Sequence, residues 1–206
     1  MAIPKQIFQT FKTAQLPWIT KFHIKKMLKK NPEYDYHFYD DERVQKFFKE
    51  EFPPEYSKAY NRLTIGAAKA DFFRYAILYK KGGVYLDVDS GINIPLNQLI
   101  REDDVALVTD EIPPTYYVQW GMVYAAGHPF LQKTLENILE NIKTNPYPHN
   151  VHKTTGPTVY TDSIKQCLAE NPEIPYRFLA PHYDNKMVFK YKLGKFFLYS
   201  KKSEHW

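Results

Sequence analysis

Two aspartates, one residue apart, close a short apolar run in the stretch GGVYLDVDSG, Gly82–Gly91. Burying an ionised carboxylate is costly unless something positive compensates it. Two side-by-side carboxylates also repel each other unless a cation or a shared proton intervenes. On a strand, alternate residues share a face. Val84, Leu86 and Val88 then turn to the core, while Tyr85, Asp87 and Asp89 turn the other way. The aspartate Cα atoms stand about 6.6 Å apart on that reading. This reach suits one hard divalent ion, Mn²⁺ or Mg²⁺, of the kind held by one or two carboxylates plus substrate phosphates. Ser90 and Gly91 place the pair at the strand's C-terminal end, where open α/β sheets bind ligands. An isolated D-x-D is equally a turn cap at a strand end.

The elements that must position this pair are legible on either side of it. GAAKADFFRYAILYKKGG reads as a helix from about Thr64 to Lys81, stopped by Gly82-Gly83. It is apolar almost all round, which marks a buried helix. Asp71 and Arg74, spaced i, i+3, share one face of it. A charged pair in such a helix needs a strong partner or a polar ligand, and a carboxylate beside a guanidinium suits sugar hydroxyls. Upstream, IPKQIFQTF reads as a first strand and WITKFHIKKMLKKNP as a helix ending at Asn31-Pro32. YDYHFYD reads as a second strand. DERVQKFFKEEF reads as a helix capped by Asp40 or Asp41 and ending before Pro53-Pro54. Downstream, 104–110, 116–126, IPYRFLAP and KFFLYSKK read as strands, and the segments after His128 and Gly156 as helices. Strands alternating with helices predict an α/β domain with a mostly parallel central sheet.

The 206 residues suit a single domain, and 44% hydrophobic content supplies a core. Net charge is +5, with the densest cluster at KFHIKKMLKKN, read as a solvated helix face. Interspersed acids argue against a nucleic-acid stripe. Cys167 is the sole cysteine, so no intrachain disulfide forms, and a reducing, cytoplasmic setting is expected. No apolar run reaches the roughly 18 residues of a membrane span. His128, His149, His152 and His182 show no ligand spacing. There is neither a G-x-x-x-x-G-K-[ST] loop nor a G-x-G-x-x-G, so a bound diphosphate needs a metal or nearby Lys and Arg. Three chemistries remain open on the residues alone. They are metal-dependent sugar transfer, a haloacid-dehalogenase-like phosphatase with Asp87 as nucleophile, and a non-catalytic carbohydrate or nucleotide-sugar binder. The phosphatases usually open their domain with the motif and add a later acidic Gly-Asp motif. Here the pair lies mid-chain with no such partner.

IPKQIFQTF, GAAKADFFRYAILYKKGGVYLDVDSG, GHPF, TGPTVYT and the terminal SEHW, in this order, resemble the DXD-containing sugar transferases of glycosyltransferase family 32. The resemblance implies a GT-A fold over residues 1–206, with a nucleotide-sugar half to about residue 100 and an acceptor-side half beyond it, and the chain reads as a cytosolic bacterial or large-virus enzyme, alone or as one domain of a longer protein. It implies Mn²⁺ or Mg²⁺ and transfer, with retention, from a nucleotide sugar (UDP-linked favoured) to a carbohydrate hydroxyl. It assigns Asp89 to the metal and Asp87 to the donor and, through water, to the metal. Asp71 and Arg74 go to donor sugar hydroxyls, with Tyr85 and Val88 beside the donor. Phe11 goes to stacking on the base, with backbone from Gln9 and Thr10. Gln119 or Trp120 stands where relatives commonly show Asn, and Thr155–Pro157 lies on the acceptor side. His205 completes the metal site, with Glu204 as second candidate.

Overall fold

The computed structural model describes residues 2–189. The expected strand KFFLYSKK and the segment SEHW, with Glu204 and His205, lie outside the described residues. In chain order the elements are β1 (Gln6–Thr10), α1 (Trp18–Lys30), β2 (Asp35–Tyr39), α2 (Asp41–Glu51), α3 (Pro54–Arg62), α4 (Gly66–Lys81), β3 (Gly83–Leu86) and β4 (Gly91–Ile92). There follow β5 (Ala106–Thr109), β6 (Gly121–Tyr124), α5 (Pro129–Thr144), α6 (Val151–Thr154), α7 (Pro157–Glu170), β7 (Arg177–Leu179) and β8 (Met187–Val188). Six strands form one sheet in the order β2-β1-β3-β6-β5-β7. β2, β1 and β3 run parallel, as do β5 and β7, and β6 is antiparallel to both its neighbours. The α/β fold with a mostly parallel sheet is as expected. β4 and β8, which the sequence does not suggest, pair in a small separate ladder.

Side-chain alternation divides the core in two. Ile7, Val84, Leu86, Leu107 and Val123 join Met27 of α1 on one side of the sheet. Phe8, Tyr85, Val108, Met122 and Tyr124 join the apolar faces of α2, α4, α5 and α7 on the other. The period of two thus fixes which helix meets which strand face. α2 starts where Asp40 accepts a hydrogen bond from the Arg43 backbone N–H at 3.0 Å. α3 is hidden in the sequence because Pro53-Pro54 reads as a stop. Pro54 instead occupies the helix's first turn, where its missing N–H costs nothing.

The connection from α4 to β3 has no slack. Gly82 caps α4 with φ 64°, its N–H donating to the Leu78 carbonyl at 2.8 Å. Gly83, at φ 102°, opens β3, and a Cβ there would lie 2.7 Å from the Gln6 carbonyl oxygen. Both the backbone angle and the close approach exclude a side chain. Gly83→Ala is therefore expected to cost about 3 kcal/mol, from a left-handed backbone penalty plus overpacking. It would show as a lower urea midpoint with an unchanged slope. An unchanged midpoint would refute this reading of the turn.

Candidate active site

β3 is shorter than expected, and the difference reorganises the aspartate pair. The strand ends at Leu86, and the Asp87 N–H donates to the Trp120 carbonyl at 2.8 Å. The chain then turns, the Ser90 N–H closing onto the Asp87 carbonyl at 2.9 Å. Asp87 and Asp89 thus lie in one tight turn and not on a shared strand face, so the expected strand geometry through Val88 is corrected. Val88 itself is buried at 3% exposure, Asp89 at 1% and Ser90 at 4%. The Ser90 Oγ is buried without a hydrogen-bond partner among the described residues.

The turn sits where the C-terminal ends of β1 and β3 lie side by side. Phe8 pairs with Tyr85, so Thr10 and Asp87 are level two residues on. Gln9 is fully buried and ties the turn to the sheet. Its Nε2–H donates to the Asp87 carbonyl at 3.1 Å, and its Oε1 accepts from the Tyr36 hydroxyl at 3.0 Å. The Thr10 hydroxyl donates to the Tyr39 carbonyl at 2.8 Å. Phe11, just past the strand, is half-buried, with the Lys12 ammonium 5.9 Å from its ring centre.

From below, α4 grips the first aspartate. Arg74 Nη2–H donates to Asp87 Oδ1 at 2.9 Å, and Nη1–H to the Gln119 carbonyl at 3.1 Å. The Tyr85 hydroxyl donates to the same Asp87 oxygen at 3.0 Å, and the guanidinium lies 5.0 Å from the Tyr85 ring centre. Asp71 Oδ1 stands 3.4 Å from Arg74, and Asp71 Oδ2 accepts from the Thr155 hydroxyl at 3.2 Å. The side chains of Asp71 and Arg74 are 2% and 5% exposed, against 23% for Asp87. Burial pushes the Asp71 carboxyl up to about 7, and Arg74 offsets this only partly because its shorter contact goes to Asp87. Burial alone would lower the Arg74 pKa. Asp87 first, then Tyr85 and Asp71, raise it instead, so its charge is permanent.

Several expected site residues therefore support the turn from behind. Tyr85 is fully buried beneath Asp87. Gln119 is buried, its Oε1 accepting from the Tyr75 hydroxyl. Trp120 is buried against Phe189, with ring centres 5.2 Å apart. The carbonyls of Gln119 and Trp120 serve Arg74 and Asp87, and β6 begins only at Gly121 and not at the expected Tyr116. The sequence offers Thr155 only as part of an acceptor-side turn, and it gives no sign of Tyr75 or Tyr36. Nothing local pairs them with residues 27 to 84 positions away.

A profile of the glycosyltransferase sugar-binding region containing the DXD motif matches residues 19–106. Residues 19–106 carry this DXD-containing sugar-binding region. It is 33% identical, over 76% of its length and 43% of the relative's, to inositol phosphoceramide mannosyltransferase 3 of Schizosaccharomyces pombe. It is 31% identical, over 75% of its length and 60% of the relative's, to an uncharacterized glycosyltransferase of Acanthamoeba polyphaga mimivirus. The chain spans about half the length of the curated relatives it matches. Among solved structures it resembles the PaToxG glycosyltransferase, with TM-score 0.70 and 20% identity, over 84% of this chain and 73% of that one. It also resembles the UDP-bound glycosyltransferase domain of the YGT toxin, with TM-score 0.64 and 11% identity, over 88% and 81%. These likenesses carry the GT-A fold.

The donors available to a cation at this turn are the two carboxylates of Asp87 and Asp89. Among the described residues no group of three or more His, Cys, Asp or Glu side chains gathers to hold a metal. Hard carboxylate oxygens without a protein cage fit Mn²⁺ or Mg²⁺ arriving with a diphosphate. They do not fit a soft metal.

Proposed function

We propose that the domain transfers a sugar from a nucleoside diphosphate sugar, UDP-linked, to a hydroxyl of a glycan or glycolipid acceptor. The single observation that carries this reading is the Asp87–Asp89 turn at the paired ends of β1 and β3, with Asp87 oriented by Arg74 and Tyr85. The match to the DXD-containing sugar-binding region supports it, as do the mannosyltransferase names of the curated relatives and the UDP bound in the YGT toxin domain.

Asp89, with Asp87, would hold a divalent cation that stabilises the departing diphosphate as a Lewis acid. The chain's own residues do the rest. Arg74 and Tyr85 fix the Asp87 carboxylate in one rotamer, so its orientation is set before the donor arrives. Phe11 offers a ring at the end of β1 for the base. Asp71 and Arg74 act on the donor through Asp87, since both are buried and the Arg74 Nη atoms are engaged by Asp87, Asp71 and the Gln119 carbonyl. No nucleophile stands among these residues, which favours front-face attack with retention, the leaving phosphate taking the acceptor's proton. The phosphatase alternative is not favoured. Asp87 Oδ1 already accepts from a guanidinium and a phenol, which lowers its nucleophilicity.

A thermal-shift panel tests the reading. UDP-glucose, UDP-N-acetylglucosamine and GDP-mannose are compared with Mn²⁺ and with a chelator. A donor at about 100 times its Kd stabilises by roughly 2.7 kcal/mol, or about 5–10 °C in a domain of this size. The shift is expected with a UDP sugar and Mn²⁺ and is abolished by chelation. Absence of a shift with every nucleotide sugar, together with phosphomonoester hydrolysis that Asp87→Asn abolishes, would replace sugar transfer with the phosphatase reading.

A further inference from the structure

We propose that the outer face of α1 docks the protein on a bilayer surface rich in anionic phospholipid. Thr20, Ile24 and Met27 bury the inner face of this helix. Outward point Trp18 and Phe22, one turn apart and 71% and 56% exposed, with Lys21, Lys25, Lys26 and Lys29 around them. At 100° per residue these six side chains fill an arc of about 140° centred on the aromatics, along about 17 Å of helix. The helix WITKFHIKKMLKK contains no acidic residue. Among the described residues, none of these four lysines forms an ion pair.

A solvated helix face accounts for the lysines but not for two large aromatics held in water at their centre. Aromatics flanked by lysines match the layering of a bilayer interface. The rings enter the headgroup–acyl boundary and the ammonium groups meet lipid phosphates and carboxylates. Duplex nucleic acid would engage the lysines and leave Trp18 and Phe22 exposed, so the bilayer is the better complement. The face also adjoins the active site. Lys26 and Lys30 extend it into a groove of about 170 Å³ closed by Gly91–Asn93, which begins two residues after Asp89. Lys30 Nζ–H donates there to the Asn93 carbonyl at 2.5 Å. Docking through α1 would hold the Asp87–Asp89 turn close to the lipid surface. Among the described residues no helix is long and apolar enough to cross a membrane, so this is attachment to a surface and not a span. The inference does not depend on sugar transfer.

The test is co-sedimentation of the full chain with phosphatidylcholine vesicles containing about 30 mol% phosphatidylserine, against pure phosphatidylcholine. Partitioning onto the anionic vesicles should be at least tenfold stronger and should weaken with salt over the range where the Debye length falls below about 10 Å. Each lysine near the surface contributes about fivefold, so Lys25→Ala with Lys29→Ala should lower partitioning about 25-fold. Trp18→Ala with Phe22→Ala should lower it at least tenfold. All four positions are exposed, so these variants are expected to melt with the parent. Adding anionic vesicles should blue-shift tryptophan emission, and Trp18→Phe should remove the shift. Equal partitioning onto both vesicle types overturns the proposal. So does anionic binding that survives loss of both aromatics, a blue shift that survives Trp18→Phe, or duplex DNA binding through the same lysines that exceeds vesicle binding.

Discussion

Asp89→Ala is expected to lower donor hydrolysis and sugar transfer by about 10²–10³-fold or more, the range seen when one preorganised electrostatic stabiliser of a transition state is removed. It should also erase the Mn²⁺-dependent thermal shift given by a UDP sugar. Asp89 is 1% exposed and shares a tight turn with Asp87. A residue that merely caps the turn would lower the ligand-free melting temperature when removed and leave donor binding intact, so loss of the Mn²⁺-dependent shift is the deciding readout. Asp89→Asn keeps the shape and removes the charge, so it should follow alanine in activity. Full activity in the asparagine variant would show that the charge of Asp89 is not what the donor requires.

What is legible in the sequence is legible through local physics. The alternation of YDYHFYD over β2, the caps at Asp40 and Gly82, and the all-round apolar surface of α4 each encode an element within its own residues. The aspartate pair is visible for the same reason. Its geometry is not, because whether Asp87 continues a strand or starts a turn depends on the Trp120 carbonyl, which the sequence places 33 residues away. The antiparallel insertion of β6 and the small β4–β8 ladder are likewise decided by non-local pairing. That Asp71 and Arg74 need a partner follows from their place in a buried helix. Within the protein Arg74 finds that partner in Asp87, and Asp71 finds one in Thr155. The terminal SEHW, and with it His205, lies outside the described residues.

Arg74 should be the most sensitive residue for folding and activity together. Its guanidinium is 5% exposed and serves Asp87, Asp71 and the Gln119 carbonyl at once, while its ring contact with Tyr85 fills the space between α4 and β3. Removing one partner from a buried ionic cluster leaves the others uncompensated and typically costs about 3–5 kcal/mol. Arg74→Met is thus expected to lower the melting temperature by about 6–20 °C and to disable donor binding, because Asp87 loses both its counter-charge and its orientation. Lysine cannot substitute, since a single ammonium has no planar fork to reach two carboxylates and a carbonyl. Arg74→Lys should keep part of the stability and lose activity about 10–100-fold, the range for residues that orient a ligand-holding carboxylate. The decisive comparison is a double-mutant cycle. Asp71→Asn on the Arg74→Met background removes a buried carboxyl that has already lost its cationic partner, so the two losses should be less than additive. Additive losses in urea unfolding would mean that Asp71 and Arg74 are not energetically coupled. Their shared face on α4 would then be a consequence of packing, and the orientation of Asp87 would rest on Tyr85 and Gln9 alone.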